Sequence, residues 1–136
     1  MNRDDFKHIA QIRLKEANTL FLNGNYDGAY YLAGYVIECA LKACIAKKTK
    51  KYDFPDKRTV DDSYVHDIER LIGVAGLELE LKSQLTNRKF AVNWALVKDW
   101  KETSRYETQS MFKARDLLSA ITNRKNGVFK WIRRYW

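Results

Sequence analysis

The chain has 136 residues, 46% of them hydrophobic and 31% charged, with a formal net charge of +8. That balance fits a single domain spanning residues 1–136 and excludes a disordered chain, while one proline and six glycines favour helices. The positive excess favours polyanionic partners such as RNA and is silent about the fold.

The first predicted helix runs from about Asp4 to Leu22, on the spacing of Phe6, Ile9, Ala10, Ala17, Leu20 and Phe21. Asn23-Gly24-Asn25 ends it: Gly24 suits a left-handed C-terminal cap, and Asn25 can cap the next helix. So short a link makes the first two helices antiparallel neighbours. The second helix extends to about Lys48, with apolar residues at Tyr26, Ala29, Tyr30, Ala33, Val36, Ile37, Ala40, Leu41, Cys44 and Ile45. Its end is basic (Lys47, Lys48, Lys50 and Lys51), which complements the helix dipole. Cys39 and Cys44 are five apart, about 140° around the helix, so they do not bridge and read as buried, reduced thiols.

Thr49 to Asp62 is the longest irregular stretch and contains Pro55. Asp62 or Ser63 is expected to cap a third helix carrying Val65, Ile68, Leu71 and Ile72, closed by Gly73 and Gly76. A fourth carries Leu77, Leu81 and Leu85, and Asn87 to Tyr106 reads as less regular. Met111, Ala114, Leu118, Ile121, Lys125, Val128, Ile132 and Tyr135 form a seam of three- and four-residue spacings that predicts one long helix across Gly127. With no strand-like alternation the class is all-α. No secretory signal opens the chain and no run approaches ~18 apolar residues, so a cytoplasmic protein with no membrane span is expected.

Glu38 interrupts the apolar second helix, and a carboxylate there must be paired because an isolated buried charge is costly. Arg105 and His66 are its candidate partners, with the Tyr31 or Tyr35 hydroxyl as the structural alternative. His66 could act as a general base or could cap the third helix beside Asp67. Arg105, just before the long helix, could hold a phosphate or pair with Glu38, Asp99 or Glu102. In the tail, Arg124, Lys125, Lys130, Arg133 and Arg134 interleave with Trp131, Tyr135 and Trp136. That pattern suits single-stranded RNA, with Lys130, Arg133 and Arg134 as candidates. The alternative has the aromatics in the core and the charges merely solvated. There is no zinc spacing, phosphate loop or Ser-His-Asp set, so neither metal nor cofactor is expected.

Four blocks carry a family resemblance over nearly the whole length: GNYDGAYYLAGYVIECALKA at 24–43, His66-Asp67-Ile68, the pair Trp94 and Trp100 before Arg105-Tyr106, and GVFKWIRRYW at 127–136. The chain resembles the HEPN domains (higher eukaryotes and prokaryotes nucleotide-binding). The resemblance implies an up-and-down bundle of four or five helices and a homodimer. It also implies an RNA- or nucleotide-binding role or a partnership with a small nucleotidyltransferase, in toxin–antitoxin or defence pairs. Some members are metal-independent ribonucleases with an Arg, four to six residues and a His. Arg105 stands where that arginine is expected, but Gln109 to Phe112 follow where the histidine would fall. Arg3 and His8 match the spacing on the wrong helix. The expectation is therefore a binding or partner module. The alternatives are a divergent ribonuclease using Glu38, His66 and Arg105, or a structural dimerisation domain.

Overall fold

The computed structural model of the protein describes residues 1–49, 54 and 56–136. Helix α1 (Arg3–Leu22) starts at a reciprocal cap: the Asn2 side chain accepts the Asp5 N–H, and the Asp5 carboxylate accepts the Asn2 N–H. It ends at Gly24, whose φ of +78° supplies the left-handed cap. Helix α2 (Tyr26–Lys48) then runs back antiparallel. Asn25 holds the N-cap position as expected, but its side chain makes no capping bond.

Helix α2 is the centre of the molecule. Packed by α1 and by four of the later elements, it buries residues on every face, including Ala33, Gly34, Ile37, Glu38 and Leu41. A helix apolar all round belongs in a core. By length and mean hydropathy, 1.3 over its best 18-residue window, α2 could also cross a membrane, yet 72% of that window is buried inside the bundle. Its last turn carries Lys47 and Lys48 as expected, whereas Lys50, Lys51 and Pro55 lie outside the described residues.

The chain continues through α3 (Lys57–Ser63), α4 (Ile68–Val74), α5 (Glu78–Gln84), α6 (Arg88–Lys98), a 3-10 turn (Glu102–Tyr106), α7 (Met111–Thr122) and α8 (Val128–Ile132). No strand occurs among the described residues. The fold is an all-α helical bundle. Its longer members are α1, α2, α6 and α7, and the short helices occupy the connections.

Three expectations need correction. Asp62 and Ser63 do not cap a third helix; they close α3. Asp56 starts α3 by accepting the Thr59 N–H at 2.8 Å, and that bond holds the Asp56 carboxyl below its ordinary value. Asp67 starts α4 by accepting the Arg70 N–H at 2.9 Å, which leaves His66 in the connection immediately before that cap. Secondly, Asn87 to Tyr106 is mostly regular. Asn87 accepts the N–H groups of Lys89 and Phe90, and α6 buries Phe90, Trp94 and Val97 at helical spacing.

Thirdly, the long C-terminal helix is two helices. The Asn123 side chain accepts the N–H groups of Lys125 (3.1 Å) and Asn126 (2.8 Å), an Asx turn that competes with helix continuation. Gly127 lies against the backbone carbonyls of Ile121 and Asn123, where a Cβ would collide. The seam stays in phase because both pieces face one core: Leu118 and Ile121 are buried on one side of the bend, Val128 and Ile132 on the other.

Candidate functional site

Glu38 is 1% exposed. Its Oε1 accepts from Lys42 Nζ, one helical turn on, at 3.0 Å, and lies 2.7 Å from His66 Nδ1. A carboxylate has only lone pairs to offer, so Nδ1 is the donor. Oε2 is buried without a hydrogen-bond partner among the described residues. Of the partners expected for Glu38, His66 is the one found. Arg105 pairs elsewhere, with Glu102.

The other face of the His66 ring meets the 3-10 turn. His66 Nε2 lies 3.3 Å from Glu102 Oε2, and Arg105 Nη1 lies 3.2 Å from Glu102 Oε1. Lys42, Glu38, His66, Glu102 and Arg105 thus form a continuous alternation of cationic and anionic groups from the core to the surface. All three residues singled out in the sequence converge, through a carboxylate that sequence reasoning named only as one salt-bridge option for Arg105. Lys42 was missed, although its i, i+4 spacing from Glu38 was a usable signal.

The turn is seated by Trp100, whose indole lies directly on Gly34 and stacks on Tyr31 with centroids 6.1 Å apart. Trp100 Nε1 and Ser104 Oγ are both buried without a hydrogen-bond partner among the described residues. Arg105 stacks over the exposed Tyr106 ring at 4.8 Å. Nearby, burial first and then Cys39 and Glu38 push the Tyr35 phenol up to about 12, which keeps it protonated.

The C-terminal aromatics belong to the core. Trp131 packs edge-on to Phe90 (5.4 Å), Trp136 to Phe129 (5.5 Å) and Tyr135 to Trp131 (5.6 Å). Phe129 and Trp131 are buried and closed to base stacking, Tyr135 and Trp136 are half-buried against them, and the interleaved pattern follows from packing. The charges are placed differently. Arg124, Lys130 and Arg133 line a cleft of about 380 Å³ together with Leu14, Ile121 and Phe129. Arg134 is exposed outside that lining.

Cys39 and Cys44 are unbridged and buried, and desolvation pushes both thiols up to about 11. Neither is a thiolate at neutral pH, so iodoacetamide should leave the native protein unlabelled and modify both cysteines once it is unfolded. Labelling of the folded chain by mass spectrometry would contradict their burial. Among the described residues, no group of three or more His, Cys, Asp and Glu is arranged to hold a metal ion.

Fold and site together define a helical-bundle domain with an acid–base chain running outward from its central helix. The chain belongs to the HEPN domain family, whose model matches residues 4–135. No curated protein and no solved structure matches significantly. Membership makes this a nucleotide- or RNA-related module in the general sense. The Arg–His spacing of ribonuclease members has no counterpart at Arg105, since Ser110 serves there as the cap of α7, accepting the Lys113 N–H. At the N-terminus, Arg3 lies on α1 and donates to the Trp136 carbonyl at 2.8 Å.

Proposed function

We propose that this HEPN domain works by binding, as the partner of a small nucleotidyltransferase in a toxin–antitoxin or defence pair, with RNA or a nucleotide as ligand and a homodimer as the working form. One observation carries the preference for binding over catalysis: both ring nitrogens of His66 face carboxylates, Glu38 at 2.7 Å and Glu102 at 3.3 Å. Neither nitrogen is left to take a proton from a ribose hydroxyl, which a general base must do within hydrogen-bond reach. The cleft lined by Arg124, Lys130 and Arg133 supports attraction to a phosphate backbone. The exposed Tyr106, Met111 and Phe112, close together in the chain beside Arg105, support a surface that a second protomer or a partner could cover.

The test combines binding and cleavage on one labelled single-stranded RNA. The expected result is binding without cleavage, with log K against log salt falling with a slope of about −2 if three phosphates are neutralised. Replacing Lys130 and Arg133 by alanine should remove roughly 1.4 from that slope. Co-purification of a nucleotidyltransferase with the tagged chain would support the pairing. The second reading, a divergent endoribonuclease, is favoured by the exposure of His66 and Arg105, 44% each on either side of Glu102. Cleavage abolished by Arg105→Ala with folding intact would establish it.

A further inference from the structure

We infer that the space between His66 Nε2 and Arg105, now filled by the Glu102 carboxylate, is a phosphate-binding site whose built-in occupant leaves when a phosphate arrives. The inference rests on the reading of the chain as a nucleotide- or RNA-associated binding module and specifies where the phosphate sits.

The two carboxylates on His66 are held differently. The Glu38 contact is short, directed as a hydrogen bond and buried. The Glu102 contacts are longer, at 3.3 and 3.2 Å, and neither is directed as a hydrogen bond. Glu102 has no other side-chain partner among the described residues, and its side chain is 28% exposed. Rotation about its own side-chain bonds carries it into water with the backbone unmoved. Such an exposed pair is weak and easily exchanged.

What Glu102 leaves behind suits a phosphate. Two oxygens of one carboxylate now bridge an imidazole nitrogen and a guanidinium, as two oxygens of one phosphate would. Guanidinium matches phosphate geometry, and its hydrogen bonds are charge-assisted. Glu38 accepts the Nδ1 proton and steadies the ring as an imidazolium, the form in which Nε2 also donates and can hold an anion without abstracting a proton. With Glu102 turned away, Lys42 and Arg105 outweigh Glu38, so the local charge is positive. Tyr106, 78% exposed and already under Arg105, offers a flat face to a base attached to that phosphate.

The experiment titrates the full chain with inorganic phosphate, AMP and adenosine while recording the imidazole ¹⁵N signals of its two histidines. His8, on α1 outside the cluster, is the internal control. Phosphate and AMP should shift His66 and leave His8, while adenosine should shift neither. AMP binding tighter than phosphate would mark a nucleotide as the source, and equal affinities would mark the phosphate alone. Glu102→Gln, which keeps the size and removes the competing charge, should bind phosphate about three- to tenfold more tightly, and Arg105→Ala should abolish the shift. The proposal is overturned if phosphate moves neither histidine or both alike, if adenosine moves His66 as AMP does, or if Glu102→Gln binds no tighter than the wild type. Anisotropy of labelled RNA on the same samples separates the two readings. RNA binding with no phosphate response sinks the Glu102 site alone, and the converse sinks the RNA module alone.

Discussion

Gly34→Ala is expected to destabilise the protein by about 3 kcal/mol, at the upper end for overpacking, which for a domain of this size lowers the melting midpoint by roughly 10 °C. A Cβ on residue 34 would coincide with Cδ2, Cε2 and Nε1 of the Trp100 indole. Those atoms are the rigid middle of a fused ring, so no rotation of a side-chain tip relieves the overlap. Trp100 is 2% exposed and held by Tyr31, so it has nowhere to retreat inside the core. Removing the indole should therefore rescue the defect. Trp100→Leu alone opens a cavity, but in the Gly34→Ala background the new methyl fills part of it, and the double mutant should be less damaged than the sum of the singles. Additive losses in urea melts would mean the two residues are not in contact. The substitution also reaches the site, because Trp100 seats the turn that carries Glu102 and Arg105. The phosphate response at His66 should weaken in Gly34→Ala even under conditions where the variant is fully folded.

The parts of the fold that could be read from sequence are those in which local chemistry and burial agree. α1 and α2 have uninterrupted helical spacing, and Gly24 marks the link between them with the one conformation that glycine favours. α6 was legible in principle, since Phe90, Trp94 and Val97 are spaced as a helix face. The exposed Val92 and Leu96 on the same segment blurred that face. At the C-terminus periodicity misled outright: the seam from Met111 to Tyr135 persists through a bend because both arms line the same core. The Asn123 side-chain turn announces the break, and an asparagine four residues ahead of a glycine is a weaker signal than seven apolar positions in phase.

The site divides along the same line. That Glu38 needs a partner follows from its apolar surroundings, and His66 could be named as a candidate. That Glu102 joins His66 to Arg105 could not be read, because it depends on where a five-residue turn is placed by an indole packed on Gly34. The basic tail could be read two ways. Its aromatics suit either a stacking platform or a core in sequence, and in the structure Trp131 and Phe129 are buried, with Phe129 lining the cleft together with Arg124, Lys130 and Arg133.

Glu38→Ala should be the most damaging single change in the acid–base chain, at roughly 3–5 kcal/mol, because it strips a buried charge network of its only inner acceptor and leaves a cavity. Lys42, itself 15% exposed, and the Nδ1 side of His66 both meet Oε1. Glu38→Gln should cost less, about 1–2 kcal/mol, since an amide oxygen can still accept from one of the two. Lys42→Met should be milder still, as it spares the bond to His66. Stability by itself would not tell a structural carboxylate from one that positions the imidazole, because either predicts a loss. The ring tautomer does tell them apart. The Glu38 carboxylate can only accept, and so fixes the proton on Nδ1 and points Nε2 at Glu102. A glutamine can turn its NH₂ toward the ring and favour the other tautomer. If Glu38 positions His66, the imidazole ¹⁵N shifts of Glu38→Gln should move toward that tautomer, and the phosphate response should weaken because a neutral ring offers the anion no positive charge. If Glu38 only fills its place in the core, melting will drop while the His66 spectrum and its phosphate response stay as in the wild type.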